Sequence, residues 1–339
     1  MEHPSRVGKY ELEQFLGGGM AHVYRAKDSV LGRRVALKIL TAAGSADAET
    51  KARFLLEARM ACSVNHENII SIYDFGEEQG RPFIVMELLE GESLRDAIKR
   101  GRLGNFQRRL KIALQVARAL DFIHARKIIH RDIKPENIHL DETGKVKLMD
   151  FGIAKSEGMQ LTRAGFTLGT PYYMAPEQVL GRMLTPQADV YAFGILLFEL
   201  MTGTKPVTGD SVEKIFQQIL YEPLNLEPLA RSGAPPALCD LIARCTVKQL
   251  AQRPQNLSPV CDELTGMLDS LRPVHPSLPP LPPAAVASVP SLPPDAVPEF
   301  LAWLPAHLRS ERGLMLLAGV AVVLLAGIVF AILWMAHTI

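Results

Sequence analysis

Three short segments follow one another along this chain: HRDIKPEN at His130 to Asn137, DFG at Asp150 to Gly152, and APE at Ala175 to Glu177. Their order restricts the fold more than any other feature, because it gathers an acidic residue, a lysine, an asparagine and a second acidic residue around one cleft. A single such tripeptide is within reach of chance; the ordered set is not.

The flanking sequence indicates two kinds of lobe. Between residues 10 and 88 the pattern is strand-like with one helix. VALKI alternates, so Ala36 and Lys38 share one face while Val35, Leu37 and Ile39 share the other. Thr50 to Val64 carries a helical pattern, and Phe83 to Met86 reads as another strand. Beyond Glu90 helices dominate. Phe106, Leu110, Ala113, Ala117, Leu120 and His124 recur every three or four residues, which predicts one apolar face of a long helix. IHL (Ile138 to Leu140) and VKLM (Val146 to Met149) flank DETGK, a hairpin signal. Val190 to Thr202 is apolar on nearly all sides, which places it at the centre of a lobe, with Asp189 expected as N-cap and Gly203 as stop. The expected architecture is α+β: a small β-rich lobe at 10–88 and a larger helical lobe at 89–271.

Candidate site residues follow from this placement. Gly17, Gly18 and Gly19, followed by Met20, Ala21, His22 and Val23, join two strand-like runs, and glycines let a backbone approach phosphates with its N–H groups free. Lys38 follows about fifteen residues after Val23 and shares a strand face with Ala36. There it would hold nucleotide phosphates, oriented by Glu57 of FLLEARM. Asp132 would accept a hydrogen bond from an acceptor hydroxyl and align it, and Lys134 would neutralise charge on a transferring phosphoryl group. Asn137 and Asp150 are hard oxygen donors suited to Mg²⁺. His130 and Phe151 read as bracing residues, since no second His or Cys stands at ligand spacing from His130.

Residues 10 to about 270 resemble the eukaryotic-like (Hanks-type) protein kinases, in particular the bacterial serine/threonine group. The resemblance is carried by the glycine loop at 17–23, VALK, Glu57, MELLEGESL at 86–94, HRDIKPEN, DFG, GTPYYMAPEQ at 169–178, DVYAFG at 189–194 and QRP at 252–254. It implies a bilobal kinase fold, ATP and Mg²⁺ (with Mn²⁺ as an alternative), and phosphorylation of protein Ser or Thr. It also implies Met86 behind the adenine, hinge backbone bonds from Glu87 and Leu89, and Thr170 near Asp132 and Lys134. By the same resemblance Asp189 ties down the catalytic-loop backbone and Glu177 pairs with Arg253. The glycine loop departs from the family pattern: counted from Val23, Leu16 stands at the first glycine position, Gly18 at the second, and Ala21 replaces the third.

The C-terminal part changes character. Arg272 to Pro305 is proline-dense, which predicts an extended spacer over 272–312. Gly313 to Met335 then runs for about 23 residues without a charge, enough for a ~30 Å bilayer core. Arg309 and Arg312 precede it and no Lys or Arg follows, so a single-pass span at 313–335 is expected, with the kinase-like part in the cytoplasm. The net charge of +1 offers no global field for nucleic acid. Cys62, Cys239, Cys245 and Cys261 form no CxxC pair and read as reduced, mostly buried thiols.

Between Asp150 and Glu177 lie Ser156, Thr162, Thr167 and Thr170, with Arg131 positioned to receive a phosphate from this segment. Thr162 or Thr167 is the expected autophosphorylation site, and membrane tethering is expected to favour self-association for transfer in trans. Two other classes compete. A pseudokinase scaffold would lack Lys38, Asp132, Asn137 or Asp150, and none is missing. A small-molecule phosphotransferase would usually lack the APE and GTPYY elements, both of which are present.

Overall fold

The computed structural model describes residues 5–150 and 171–271. The chain divides into compact units at Met1–Pro273 and Val274–Ile339, and all the described residues lie in the first. Phe151, Gly152, Ser156, Thr162, Thr167 and Thr170, the proline-dense stretch and the apolar run at 313–335 lie outside the described residues.

The first lobe is a six-stranded antiparallel sheet: β1 (Arg6–Val7), β2 (Tyr10–Gly18), β3 (Ala21–Asp28), β4 (Arg34–Leu40), β5 (Ile72–Glu78) and β6 (Arg81–Met86). Their spatial order is β1-β2-β3-β4-β6-β5. The alternation of β4 divides the sheet into two faces. Val35, Leu37 and Ile39 pack with Tyr10, Tyr24, Ala26, Phe83 and Val85 on one side. On the other, Leu40 packs with Ile84 against Phe54 and Ala58 of a helix, while Ala36 packs with Ile70 and Met86. Two helices, α1 (Ala42–Ala46) and α2 (Ala48–Cys62), connect β4 to β5. The predicted helix at 50–64 thus starts and ends two residues earlier. The Asp47 carboxylate accepts the Thr50 N–H at 2.9 Å and opens α2, and Val64 lies beyond the helix, buried in the core of the second lobe.

The second lobe is helical apart from a small sheet, β7 (Glu92–Ser93), β8 (Ile138–Leu140) and β9 (Val146–Leu148), in that order. Its helices are α3 (Leu94–Lys99), α4 (Phe106–His124), α5 (Pro176–Val179), α6 (Pro186–Thr202), α7 (Val212–Tyr221), α8 (Glu227–Arg231), α9 (Pro236–Cys245) and α10 (Ser258–Ser270). The β8–β9 hairpin pairs Ile138 with Leu148, His139 with Lys147 and Leu140 with Val146. Period-two alternation buries Ile138, Leu140, Val146 and Leu148 in the lobe core and turns His139 and Lys147 to the other face. Helix α4 buries Leu110, Ala113, Ala117, Leu120 and His124 along one stripe.

Helix α6 is buried from Ala188 to Met201 and ends at Gly203, whose φ of +74° is the left-handed conformation that glycine adopts without strain. The expectation that Asp189 caps this helix is corrected. Helix α6 begins at Pro186 with Thr185 at the cap position, because proline at the first turn lacks only an N–H that would have been unsatisfied. Asp189 therefore lies inside the first turn with its carboxylate free for another task. The thiols are all free, but of the four only Cys245 is buried; Cys62 is exposed and Cys239 and Cys261 are half-buried. Among the described residues, no helix is long and apolar enough to cross a membrane.

Candidate active site

A cavity of about 390 Å³ opens between the six-stranded sheet and the β8–β9 hairpin. Leu16, Gly17, Gly18 and Val23 line it from the β2–β3 hairpin, Ala36 and Met86 from the sheet, Glu87 to Leu89 from the linker between the lobes, and His139 and Met149 from the second lobe. Lys38, Glu57 and Asp150 lie along its polar side. Gly19, Met20 and Ala21, predicted as nucleotide-binding with their neighbours, do not line the cavity. Met20 is exposed, and Ala21 packs with Leu40, Phe54, Ala58 and Ile84.

The departure from the glycine pattern has a structural counterpart. The β2–β3 register slips between Phe15 and Gly17, so Leu16 has no paired residue and stands at the mouth of the cavity. Gly17 and Gly18 have φ of +137° and +131°, and a Cβ on Gly18 would lie 2.0 Å from the Ala21 carbonyl oxygen. Two backbone positions that only glycine tolerates thus bring the chain across the cavity.

Lys38 is held between two carboxylates, at 2.6 Å from Asp150 Oδ1 and 3.4 Å from Glu57 Oε1. Burial works to strip the proton from Lys38, but Asp150 and then Glu57 overcome it and hold the ammonium above its ordinary range. The Lys38 charge keeps Asp150 below the usual carboxylate range. Glu57 is pushed up by its own burial, which the Lys38 charge only partly offsets. Three groups with two negative charges and one positive form a site whose balance favours a further cation near Asp150.

The HRDIKPEN segment forms a second cluster. Lys134 Nζ lies 2.7 Å from Asp132 Oδ2, and Asn137 Nδ2 donates to the Asp132 backbone oxygen at 2.8 Å and to Oδ2 at 2.9 Å. Because Asn137 donates through its nitrogen, its amide oxygen is the end left to meet a cation. The segment is also tied to the residue before DFG by the Met149 N–H donating to the Asn137 backbone oxygen at 2.8 Å. His130 is fully buried, its Nε2 is 3.0 Å from the Met149 oxygen, and burial holds its imidazole below the ordinary range, so neutral.

Asp189 organises this turn. Its carboxylate accepts the His130 N–H at 2.7 Å and the Arg131 N–H at 2.8 Å, and lies 2.8 Å from His124 Nε2. Gln178 Nε2 donates to the Arg131 oxygen at 3.0 Å. Arg131 and Asp150 adopt φ of +67° and +48°, left-handed values uncommon for residues other than glycine. Further from the cleft, Glu177 and Arg253 form a bidentate pair at 2.7 and 3.3 Å, both buried. Arg253 also donates to the Gln187 and Val247 oxygens.

In the linker, the Glu87 N–H donates to the Ser71 oxygen at 3.0 Å, while its carboxylate accepts the Ser71 N–H at 3.0 Å and lies 2.6 Å from Lys147 Nζ. Among the described residues the Leu89 N–H and the Glu87 carbonyl have no hydrogen-bond partner, so both remain available along the cavity wall. Sequence reasoning missed His124, His139, Lys147 and Gln178. His124 could have been flagged as the polar member of the apolar stripe on α4, and Gln178 as the residue following APE. His139 and Lys147 gave no signal beyond their hairpin.

Among the described residues no cluster of three or more His, Cys, Asp or Glu side chains is arranged to hold a metal. A hard divalent cation bound together with a nucleotide needs few protein ligands, so the oxygens of Asn137 and Asp150 would fit that donor set without a protein cage.

A glycine hairpin over a cavity, a lysine between two carboxylates and an Asp–Lys–Asn cluster are the parts that a nucleotide-dependent phosphotransferase cleft requires. The chain belongs to the protein kinase domain family, whose pattern its residues 10–264 match. It is 40% identical over 278 residues to the serine/threonine-protein kinase PknA of Mycobacterium tuberculosis, covering 80% of this chain and 64% of that protein. It is 41% identical over 271 residues to serine/threonine-protein kinase pkn3 of Myxococcus xanthus, covering 76% and 49%. To the serine/threonine-protein kinase PrkC of Bacillus subtilis it is 39% identical over 243 residues, covering 71% and 38%. The chain thus spans less than two thirds of the length of these curated relatives.

Proposed function

We propose that this protein transfers the γ-phosphoryl group of ATP to serine or threonine hydroxyls of proteins. The observation that carries this reading is the closeness of two clusters: Lys38 between Glu57 and Asp150 along the cavity, and Asp132 with Lys134 and Asn137 beside it. They are joined through the Met149 N–H bond to the Asn137 backbone oxygen and are near enough for the Asp132 charge to act on Asp150 and Glu57. Lys38 holds the α- and β-phosphates and Glu57 keeps its ammonium aimed at them. The apolar walls at Val23, Ala36 and Met86 take the adenine, with the Glu87 carbonyl and Leu89 N–H facing its edge. Asp132 accepts a hydrogen bond from the incoming hydroxyl and aligns it, and Lys134 offsets charge that develops on the transferring group. Asn137 and Asp150 would hold Mg²⁺, or Mn²⁺ in its place, which supplies charge neutralisation across the phosphate oxygens. The names of the relatives support serine and threonine as acceptors.

The finer reading extends to regulation and location. Thr162 or Thr167 is the autophosphorylation site, and Arg131, its backbone fixed by Asp189 and Gln178, takes the phosphate. The apolar run at 313–335 anchors the chain in the cytoplasmic membrane through the proline-dense spacer, and the tether raises the concentration of neighbouring copies for transfer in trans.

Phosphopeptide mass spectrometry of the full chain, expressed in a host without other kinases, tests the reading. Phosphoserine or phosphothreonine should form in the wild type and be missing from Lys38→Met. Its formation in both would remove the proposed chemistry. Carbonate extraction of membranes tests the anchor, and release of the full chain into the soluble fraction would overturn it.

A further inference from the structure

The linker between the lobes has little backbone support of its own. It lies outside strand and helix, and the bond from the Glu87 N–H to Ser71 is its only backbone–backbone hydrogen bond among the described residues from Glu87 to Leu89. Yet this is the segment whose backbone must meet the base of the nucleotide. Something else has to fix it.

That support comes from one cross-strand pair. His139 on β8 and Lys147 on β9 are register partners, and alternation turns both away from the lobe core. Residues directly opposite on an antiparallel hairpin stand about 5 Å apart on the same face. Lys147 Nζ reaches the Glu87 carboxylate at 2.6 Å and the Ile69 oxygen at 3.3 Å. His139 Nε2 lies 3.1 Å from the Glu90 oxygen and the residue also lines the cavity. One side chain therefore grips the start of the linker and the other its end. The Glu87 carboxylate extends the first grip across the molecule, because the same Oε1 accepts the Ser71 N–H at the approach to β5.

We propose that His139 and Lys147 act together as a two-point clamp on residues 87–90 and so set the affinity of the cleft for the nucleotide. They are positioning residues: Lys147 works through Glu87, and His139 through Glu90 while forming part of the cavity wall. The inference rests on the reading that this cleft takes ATP. It predicts a signature that independent contacts do not give. Releasing either end frees the segment, so releasing the second end adds little.

The test uses the full chain as wild type, Lys147→Met, His139→Leu, the double variant, and the conservative variants Lys147→Arg and His139→Gln, each of which keeps a donor at its position. ADP binding by calorimetry, and KM for ATP and kcat at saturating acceptor, are measured for each. Both truncations should weaken ADP and raise KM for ATP about 3- to 10-fold, the net loss expected for one ordinary hydrogen bond, with kcat within about twofold. The double variant should be no weaker than about twofold below the weaker single, and the conservative variants should bind nearly as wild type. Unchanged nucleotide affinity in both truncations would overturn the clamp. So would multiplicative losses in the double variant, or conservative variants as weak as the truncations, which would mark general damage to the hairpin. If the wild type binds ADP but transfers nothing, the proposed chemistry fails while the ADP series still decides the clamp.

Discussion

The Asp189 carboxylate accepts the backbone N–H of Arg131 at 2.8 Å, and Arg131 sits at φ +67°. A left-handed arginine costs about 1 kcal/mol or more and persists only where its surroundings over-determine it. Here the second carboxylate oxygen takes the His130 N–H, so one buried side chain on α6 sets the turn that presents Asp132. This explains a buried acid in the first turn of α6. Asp189→Asn replaces one acceptor with an NH₂ group facing an N–H. It should lower kcat about 10- to 100-fold through misplacement of Asp132 while leaving KM for ATP within about threefold. Steady-state kinetics at saturating acceptor check this.

The two glycine positions differ in a testable way. Gly18→Ala puts a methyl group 2.0 Å from the Ala21 oxygen at φ +131°, whereas a Cβ on Gly19 meets nothing within 4 Å. Gly18→Ala should raise KM for ATP at least about fivefold, in line with a strain of about 1–3 kcal/mol, and Gly19→Ala should stay within about twofold. Nucleotide titration of both variants measures the contrast.

Glu177 and Arg253 are paired in the protein interior, so removing one partner strands the other charge. Glu177→Ala should destabilise the fold by about 3–5 kcal/mol, while the double variant Glu177→Leu with Arg253→Met should recover much of that loss. Urea denaturation of the wild type, Glu177→Leu, Arg253→Met and the double variant, run as a double-mutant cycle beside Glu177→Ala, gives the coupling directly.

Lys248 supplies a pH prediction. Burial, and then the Arg253 charge, push its ammonium down to about 8, while the unfolded chain keeps an ordinary lysine near 10.4. Below pH 8 both states carry the proton. Between about 8 and 10.4 the unfolded chain binds more protons than the folded one, so stability rises with pH in that window. The wild type should therefore gain on Lys248→Met in melting temperature between pH 7.5 and 10. Comparing the two proteins at each pH cancels the thiols and tyrosines that titrate in the same range.

Much of the fold was legible because burial imposes period on sequence. The α4 stripe, the VALKI alternation and the β8–β9 hairpin each follow from which side chains face a core. The clusters around Lys38 and Asp132 were legible because their residues stand in ordered segments. The misses have physical reasons too. Asp189 looked like a cap because it precedes an apolar run, but Pro186 starts the helix a turn earlier. Its hold on the catalytic-loop backbone was expected from the family resemblance and not from any local period, and the carboxylate meets the His130 and Arg131 amides. His139 and Lys147 act through a linker some fifty to sixty residues away in the chain, and no local period records such a meeting.

The most direct measurement is transfer of label from γ-labelled ATP to serine and threonine by the purified full chain with Mg²⁺, set beside Asp132→Asn. The wild type should place label on itself or on a generic protein acceptor, and Asp132→Asn should fall by at least about 100-fold while still binding ADP. Equal labelling by both proteins, or none by the wild type, would contradict the role assigned to the cleft.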